Sequence, residues 1–413
     1  MAPAACRRRD DCRLCGAKDF ELVFQLAPTP PANAFVKTAA PQDKYPLDLF
    51  LCKSCGHLQL RDVVDPAVLF EHYVYVSGTS PVFVKHFKDY ADYLLGRFEI
   101  KKESLVVDIG SNDGTLLRFF KEAGMSVLGV DPAQEISKAA NESGIETLNA
   151  FFTPELAAKI VREHGPAAVV TANNVFAHAD DLKGILKGVH FLLAPDGVFA
   201  FEVSYLADVV KNTLFDTIYH EHVAYHSVTS LKRFLESNGF ELIEAIKIEP
   251  HGGSLRAVAQ KKGLPRQPGD SVAQRLAEEA AQGLTKPETF KAFARQIDAR
   301  KKELSNLLKT IKSQGKTIAG FGAPAKATTL MHHFGLGADI LDFIVDDSPW
   351  KQGLLSPGLH IPVVAAEELY KRKPDYVLIL AWNFAEPIMK KHKAFTDGGG
   401  HFIVPLPEVE VLP

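Results

Sequence analysis

A short stretch near the middle of the chain concentrates side chains that can move protons. Between Phe215 and Ser227 the sequence holds three histidines, two carboxylates and two tyrosines. Histidine and glutamate are seldom buried without partners, so this density is unusual for a packed core. Histidine also changes charge near neutral pH, which suits a general acid or base. The stretch therefore predicts the chemical half of an active site, and a solvated histidine-rich loop is the plainer alternative.

A glycine-bearing turn upstream of this stretch predicts a cofactor site. An apolar strand over residues 105–109 leads into the turn 110–114, an amphipathic helix follows, and a second strand ends in Asp131. This order is typical of the first βαβ unit of a doubly wound sheet, whose ligand lies at the carboxyl ends of the strands. An acid at the end of the second strand is suited to ribose hydroxyls. We therefore expect a nucleoside-containing cofactor here.

The charge of the turn favours a cationic cofactor over a dinucleotide. Its pattern is D-x-G-x-x-x-G rather than G-x-G-x-x-G, and Asp108 and Asp113 put carboxylates where a pyrophosphate would sit. A sulfonium cofactor with an amino-acid tail fits that field better. The turn resembles that of the class I S-adenosylmethionine-dependent methyltransferases. The cofactor ligands expected from this reading are Asp108, Gly110, Asn112, Gly114, Asp131 and Asn173.

His178 and Asn173 belong to a predicted fourth strand and its exit. In this fold class the end of that strand contacts both cofactor and substrate, so Asn173 could hydrogen-bond the cofactor. His178 lies just past the strand, where it would face the reaction centre. A lone histidine at such a place could equally be an ordinary loop residue.

Four of the five cysteines predict a zinc site. Cys12 and Cys15 form one C-x2-C pair, Cys52 and Cys55 form another, and a glycine follows each pair. Two such turns complete a tetrahedral site of four thiolates, which leaves no open position and makes the ion structural. Because the module lacks a basic and aromatic surface, we do not expect it to read nucleic acid. Five cysteines do not make a disulfide framework, and a reducing, cytoplasmic location is the expectation.

Composition limits the remaining possibilities. A chain of 413 residues predicts two or three domains, and 46% hydrophobic with 23% charged residues is typical of a globular protein. The net charge of -3 gives no general attraction to nucleic acid or anionic membranes. No apolar run reaches the roughly 18 residues of a membrane span. The run Arg7–Arg9 is followed by no apolar segment, so we expect a solvated tail there and no secretory signal.

The C-terminal third holds a competing motif. Residues 270–315 have helical periodicity and predict long linking helices. A strand, the pattern G-x-G-x-x-A at residues 320–325 and a second strand over 340–347 that ends in acids would also suit a dinucleotide site. Pro324 and Lys326 crowd that turn, and no hydride-transfer residues accompany it, so NAD is the weaker alternative. The motif 251–256, His-Gly-Gly-Ser-Leu-Arg, predicts either a phosphate contact or a tight turn between strands.

These motifs together resemble one family. The cysteine module, the D-x-G-S-N-D-G-T turn, the Y-H-E-H stretch and the H-G-G-S-L-R motif occur in the order seen in nucleotide-sugar C-methyltransferases, which make branched-chain deoxysugars. The resemblance covers nearly the whole chain and implies an α/β protein with three parts. We expect a zinc-binding module over 1–66, a doubly wound, Rossmann-like class I methyltransferase domain over 67–265, and a second Rossmann-like domain with a helical linker over 266–413. The last would close the substrate cleft.

The resemblance also implies roles for individual residues. The family's base would be His222, and the residues around it would be Tyr219, Glu221, His178 and Tyr73. Substrate contacts would come from His251, Ser254, Arg256 and Lys326, the last beside a helix N-terminus that could meet phosphate. The partner would be a small nucleotide sugar rather than nucleic acid or membrane, and the protein a monomer or weak homo-oligomer.

The chemistry explains these residue types. A sugar carbon has no lone pair, but a 4-keto group makes the neighbouring C3 proton acidic. His222, oriented by Glu221 or another nearby acid, would remove that proton, and His178 or Tyr219 would stabilise the enolate oxygen. An O- or N-methyltransferase of a small metabolite is the alternative, since it would not need the base-rich stretch. A second metal site at His220 and His222 lacks further ligands at a suitable spacing.

Overall fold

The computed structural model describes residues 5–70, 81–249 and 252–413, so the candidates Tyr73 and His251 lie outside the described residues. The described chain forms three bodies, each built on its own sheet, with a two-stranded pair beside the first. Within these ranges, no helix combines the length and apolar character that a membrane crossing requires. The mixed α/β architecture with an N-terminal cysteine module agrees with the prediction from sequence.

The N-terminal body, here called the zinc module, is a small antiparallel sheet. Its elements are β1 (Cys6–Arg8), β2 (Phe20–Thr29), β3 (Tyr45–Cys52), β4 (Leu58–Leu60), β5 (Asp62–Val64) and α1 (Pro66–Phe70). β3 pairs with β2 on one side and β4 on the other. One C-x2-C turn precedes β2 and the other connects β3 to β4. The metal site therefore lies at one end of this sheet.

The arginine-rich N-terminus is not the solvated tail that we expected. β1 pairs with β5 over three residues. The guanidinium groups of Arg9 and Arg13 each lie 3.0 Å from Oδ1 of Asp180, and Arg7 pairs with the same carboxylate. Asp180 belongs to the methyltransferase domain, so a cluster of cations on the module is neutralised by an acid on the neighbouring body.

The central body, the methyltransferase domain, is a seven-stranded sheet in the order β12-β13-β10-β9-β6-β7-β8. Its elements are α2 (Pro81–Arg97), β6 (Leu105–Ile109), α3 (Thr115–Glu122), β7 (Ser126–Asp131), α4 (Gln134–Glu142), β8 (Thr147–Asn149), α5 (Pro154–His164), β9 (Ala167–Asn173), α6 (Leu182–Leu192), β10 (Leu193–Ser204), α7 (Leu206–Lys211), β11 (Ala224–Tyr225), α8 (Val228–Ser237), β12 (Phe240–Ile248) and β13 (Ser254–Lys261). β13 runs antiparallel to both its neighbours.

The strand order identifies where a ligand should bind. β6, β7 and β8 extend to one side of the sheet, β9 and β10 extend to the other, and all five run parallel. The order therefore reverses between β6 and β9, and open α/β sheets bind their ligands in the crevice at such a point. The turn after β6 and the carboxyl end of β9 both face this crevice.

The C-terminal domain carries a six-stranded sheet in the order β16-β15-β14-β17-β18-β19. Its elements are α9 (Asp270–Gln282), α10 (Pro287–Ser313), β14 (Ile318–Phe321), α11 (Ala325–Phe334), β15 (Ile344–Val345), β16 (Val363–Val364), α12 (Glu367–Arg372), β17 (Tyr376–Ile379), α13 (Ala385–Lys391), α14 (Lys393–Asp397), β18 (His401–Val404) and β19 (Glu410–Leu412). Only β19 runs antiparallel. The predicted linking helices are α9 and α10, although α9 packs on β12 and α10 on β2. β15 is shorter than the strand predicted over 340–347.

Residues 215–227, here called the active stretch, contact all three bodies. Within it, β11 joins the edge of the zinc module's sheet, with Ala224 opposite Gln59 and Tyr225 opposite Leu58. The 3-10 turn Phe215–Thr217 packs against α11 of the C-terminal domain. The stretch is thus held at the junction of the three bodies.

Candidate active site and metal centre

The four predicted metal ligands converge in the zinc module. All four sulfur atoms lie within 4.8 Å of one another, and the Cys12–Cys55 and Cys15–Cys52 pairs are each 3.6 Å apart. A tetrahedral zinc with Zn–S bonds of about 2.3 Å needs sulfur separations of about 3.8 Å. The cysteines therefore fit zinc, and four thiolates make the bound ion structural rather than catalytic.

The turn after β6 packs tightly against the loop after β9 and ends beside Asp131. Gly110 has φ of 71°, and a Cβ at this position would meet the side chain of Val175 at 2.5 Å. Asp131, at the end of β7, accepts the Asn112 amide with Oδ2 and the Ala133 amide with Oδ1, each at 2.9 Å. Each carboxylate oxygen has a further lone pair for a ribose hydroxyl. The residues fit the adenosine part of S-adenosylmethionine.

Asn173 and Asp108 have contrasting surroundings in this crevice. The side-chain Oδ1 and Nδ2 of Asn173 are shielded from water and have no hydrogen-bond partner among the described residues. Such a group costs stability unless a ligand satisfies it. Asp108 is buried and accepts the Thr171 hydroxyl at 2.6 Å, and burial raises the pKa of its carboxyl to about 7. Asn173 is therefore the better candidate for a direct cofactor contact, and Asp108 supports the sheet beneath it.

His222 lies in the active stretch with a fixed orientation. Its Nδ1 is 2.8 Å from the backbone carbonyl oxygen of Thr217, which can only accept, so Nδ1 carries the proton. Nε2 is then the basic nitrogen, and it lies 3.0 Å from the hydroxyl of Tyr219. The His178 ring stacks on the His222 ring with centroids 5.0 Å apart and planes inclined by 22°. The structure thus brings together three of the predicted catalytic residues.

Backbone pairing brings His178 to this position. The amides of Val223 and Ala224 donate to the carbonyl of Ala177 at 2.8 and 3.1 Å. The loop after β9 is thereby joined to the active stretch, one residue before His178. The same loop follows Asn173, so His178 is only a few residues along the chain from the cofactor crevice. His222 is brought beside it by the backbone pairing.

Glu221 does not orient His222 as we expected. Its side chain is buried and Oε1 accepts Nδ2 of Asn33, from the zinc module, at 3.0 Å. Burial raises the pKa of the Glu221 carboxyl to about 7. A carboxyl group in this environment would change its protonation near neutral pH. The Thr217 carbonyl accepts a hydrogen bond at every pH, and it orients His222 in place of the predicted acid.

The two other histidines of the active stretch are structural. His220 Nε2 lies 3.1 Å from the Tyr45 carbonyl and His226 Nε2 lies 2.9 Å from the Phe176 carbonyl. Burial lowers the pKa of each ring to about 4, so both are neutral at physiological pH. Within the described ranges, only the four cysteines bring three or more histidine, cysteine or acidic side chains close enough for a metal. A second metal site at His220 and His222 is not supported.

Arg256 is not available to substrate phosphate. Its guanidinium donates to Oε1 of Glu202 at 2.8 and 2.7 Å and lies 3.9 Å from the centre of the Tyr90 ring. Only 7% of the residue is exposed. The alternative that we considered, a turn between strands with a paired arginine, describes it better. Ser254 begins β13 opposite Ser204 and is buried as well.

Lys326 reaches the active stretch from the first turn of α11. Its Nζ lies 3.6 Å from Oδ2 of Asp216 and 4.4 Å from the centre of the Trp382 ring. The indole Nε1 of Trp382 donates to the same Asp216 oxygen at 2.6 Å. Burial raises the pKa of Asp216 and lowers that of Lys326. The pair forms a buried contact between the C-terminal domain and the active stretch.

The glycine turn of the C-terminal domain is bonded to the acid that follows β15. Asp346 accepts the amide of Ala323 at 2.6 Å with one carboxylate oxygen and the amide of Ser348 at 2.8 Å with the other. Asp131 accepts two amides in the same way at the turn after β6. The C-terminal turn differs in Lys326, whose ammonium lies 3.6 Å from the Asp216 carboxylate. The NAD alternative stays a prediction from the motif.

Several residues of this site could not be found from the sequence pattern. Thr217 acts through a carbonyl that every residue has, so its type carries no signal. Asn33 and Trp382 come from remote parts of the chain. Asp216 could have been singled out from the sequence, as an acid at the start of the active stretch. Its contact with Trp382 could not.

Zinc removal should destabilise the protein. We expect Cys55→Ser to lose the metal and to lower the free energy of unfolding by more than about 3 kcal/mol, because the turn between β3 and β4 loses its anchor. Metal content by plasma mass spectrometry and urea denaturation measure this. Cys6→Ser is the control, since Cys6 lies outside the cluster. Full zinc content in Cys55→Ser would contradict the assignment.

Asn173→Ala should weaken cofactor binding without destabilising the fold. We expect the dissociation constant of S-adenosylmethionine, measured by calorimetry, to rise about tenfold, or about 1.4 kcal/mol. The melting temperature of the cofactor-free protein should stay the same, because the amide makes no hydrogen bond within the described residues. Thr171→Val, two residues earlier in β9, is the control and should lose stability instead. Unchanged affinity in Asn173→Ala would remove this residue from the cofactor site.

The raised pKa of the Glu221 carboxyl predicts that the free energy of unfolding depends on pH. Below about pH 4.5 both folded and unfolded states hold the proton. Between about pH 4.5 and about pH 7 the unfolded state is ionised while the folded state keeps the proton, so the free energy of unfolding falls across this window, by on the order of 3 kcal/mol at pH 8. Glu221→Gln should therefore be more stable than wild type at pH 8 and similar near pH 5. Urea denaturation at both pH values tests this, with the half-exposed Glu236→Gln as control. An equal difference in free energy of unfolding between Glu221→Gln and wild type at both pH values would contradict this prediction.

Comparisons with known proteins agree with this arrangement. Family profiles match a zinc binding domain over residues 12–70, a methyltransferase domain over 84–245 and a C-methyltransferase C-terminal domain over 249–407. The C-methyltransferase NovU of Streptomyces niveus is 38% identical over 406 residues, which is 98% of this chain and 97% of that protein.

Solved structures of methyltransferases also match part of the chain. An S-adenosylmethionine-dependent methyltransferase of Clostridium acetobutylicum is 14% identical, with 44% of this chain and 92% of that chain covered and a TM-score of 0.36. The magnesium protoporphyrin IX methyltransferase of Synechocystis, solved with S-adenosylmethionine bound, is 15% identical, with 44% and 82% covered and a TM-score of 0.33. From the family profiles and the full-length relative, the chain belongs to the S-adenosylmethionine-dependent C-methyltransferases.

Proposed function

We propose that the enzyme methylates C3 of a nucleotide-diphosphate 4-keto-deoxysugar through an enolate formed by His222. The observation that carries the proposal is the hydrogen bond from His222 Nδ1 to the Thr217 carbonyl. It fixes one tautomer, so that Nε2 is the basic nitrogen of the ring. Oxygen and nitrogen can attack the methyl group with an existing lone pair, whereas a sugar carbon has none until a base removes its proton. Membership of the C-methyltransferase family also sets aside the alternative of methylation at oxygen or nitrogen.

The proton at C3 defines what the base must do. A carbonyl at C4 lowers the pKa of the neighbouring C–H enough for an imidazole to remove the proton. Nε2 of His222 takes it, and the positive charge that develops on the ring is stabilised through Nδ1–H by the Thr217 carbonyl. The His178 ring stacks on the imidazole of His222, which limits the rotation of the base.

The enolate oxygen needs a hydrogen-bond donor. Tyr219 has its hydroxyl 3.0 Å from Nε2, which places it beside the proton that is transferred. A small rotation of that hydroxyl directs its proton to the C4 oxygen, and the Nε2 lone pair can then accept the proton from C3. His178 is the second candidate donor. S-adenosylmethionine, when bound, supplies the electrophilic methyl group.

The substrate class rests on the motifs. The Y-H-E-H stretch and the cysteine module carry the resemblance to enzymes of nucleotide sugars. Lys326 was predicted to meet the diphosphate, but its ammonium pairs with the buried Asp216 and its side chain is only 13% exposed, so it does not support this part of the proposal. Domain limits near residues 66 and 265, a cytoplasmic location and a monomeric or weakly associated state stay predictions.

Proton exchange at the sugar tests the proposal. The enzyme, with S-adenosylhomocysteine bound, is incubated with a nucleotide 4-keto-6-deoxyhexose in deuterated water, and the C3 signal is followed by NMR. We expect enzyme-dependent loss of that signal, slowed by roughly 100-fold to 10,000-fold in His222→Asn because the general base is gone.

His220→Asn is the matched control, because His220 lies two residues away but bonds a carbonyl of the zinc module. It should lose stability and keep exchange within about tenfold of wild type. Absence of exchange in wild type with every keto-sugar nucleotide tried, despite measured cofactor binding, would reject the proposed chemistry. Exchange that survives in His222→Asn would reject the base.

A further inference from the structure

The turn that holds His222 is itself held by the C-terminal domain. Three of the four residues 215–218 contact side chains of that domain, and the fourth is Thr217. The Phe215 ring stacks on the Phe334 ring, with centroids 5.2 Å apart and planes inclined by 14°. The carbonyl of Ile218 accepts the hydroxyl of Thr329 at 2.8 Å. The residues on both sides of Thr217 are thus anchored to α11.

Asp216 provides the remaining anchor. This carboxylate is fully buried, and the Trp382 indole donates to it at 2.6 Å while the Lys326 ammonium lies 3.6 Å away. Lys326 and Thr329 are three residues apart and so lie on one face of α11. One helix face and one tryptophan therefore contact the turn at successive residues.

The orientation of the Thr217 carbonyl depends on these anchors. The Thr217 carbonyl shares its peptide plane with the Ile218 amide, which donates to the carbonyl of Phe215 at 3.0 Å. The direction of the Thr217 carbonyl therefore follows Phe215 and Ile218, the two residues held by Phe334 and Thr329. That carbonyl accepts Nδ1–H of His222 at 2.8 Å. A misplacement of about 1 Å at a reacting group can cost about 100-fold in rate. Small shifts of this turn would move the imidazole and release its proton to either nitrogen.

We propose that α11 of the C-terminal domain positions the base, with Thr329, Asp216 and Trp382 as positioning residues that act through Thr217. The domain then contributes to catalysis directly, by setting the tautomer and direction of His222. This inference rests on the proposed function, since it takes His222 as the base. Packing of domains alone would give contacts at the interface without a connection to the reacting imidazole.

Two adjacent threonines on α11 give a matched test. Thr329 donates to the Ile218 carbonyl, beside Thr217, and Thr328 donates to the Ala32 carbonyl of the zinc module. Both hydroxyls are buried and both bonds are 2.8 Å long. Valine has nearly the shape of threonine, so each substitution removes one hydroxyl and one interdomain bond. Both variants should lose similar stability, and only Thr329→Val should disturb His222.

The experiment compares these variants in the full-length, zinc-loaded enzyme. C3 exchange is measured at saturating substrate and well below the melting temperature, and nitrogen NMR of ¹⁵N-histidine-labelled protein reports the tautomer of His222, assigned with His222→Asn. We expect Thr329→Val to slow exchange by roughly tenfold to 100-fold with unchanged cofactor affinity, and to lose the single Nδ1–H tautomer. Thr328→Val should keep exchange within about threefold and the tautomer intact.

Equal behaviour of the two variants in exchange and tautomer would overturn the inference. Should Thr329→Val not fold, Trp382→Phe removes the donor to Asp216 while keeping a ring, and the same outcomes apply. The proposed function fails separately, since wild type would then show no exchange or His222→Asn would retain it. If wild type shows exchange that depends on His222, and Thr329→Val changes neither the exchange rate nor the tautomer, only the role of α11 is rejected.

Discussion

Two residues of the methyltransferase domain, Ala224 and Tyr225, form an edge strand on the zinc module's sheet, and the geometry of the active stretch depends on this pairing. The Leu60 amide also donates to the Val223 carbonyl at 3.0 Å. Because β4 directly follows the second C-x2-C turn, a structural zinc fixes the strand on which the active stretch is aligned. The metal is thus coupled to the chemistry through one turn and one strand, without any ligand exchange at the ion.

Surroundings, rather than residue type, separate the histidines of the active stretch. His220 and His226 are buried and neutral, and each points one nitrogen at a backbone carbonyl of a neighbouring segment. His222 has the same kind of carbonyl partner at Nδ1, but its Nε2 meets the hydroxyl of Tyr219 instead of a structural acceptor. Carbonyl partners keep a fixed acceptor character at every pH, whereas the buried Glu221 does not. The same sequence run therefore supplies both the scaffold and the proposed base.

Prediction from sequence succeeded where residue type and spacing are sufficient. Paired cysteines specify a metal site by their spacing, and a glycine turn between an apolar strand and a helix specifies the sheet and its crevice. Long-range pairing is not encoded in a local pattern. Glu221 contacts Asn33, and Arg256 contacts Glu202. Both contacts differ from the predicted ones because they depend on which strands and loops are neighbours in the fold. The role of the Thr217 carbonyl was out of reach, since a backbone atom has no sequence signature.

The central claim is that the methyl group is attached at C3 in place of the proton that the base removes. A nucleotide 4-keto-deoxysugar carrying deuterium at C3 tests this most directly, with the product of a complete methyl-transfer reaction analysed by mass spectrometry and NMR. The account predicts a product that gains one methyl group at C3 and has lost the deuterium. A methylated product that retains deuterium at C3 would contradict it, because the methyl group would then be on a different atom.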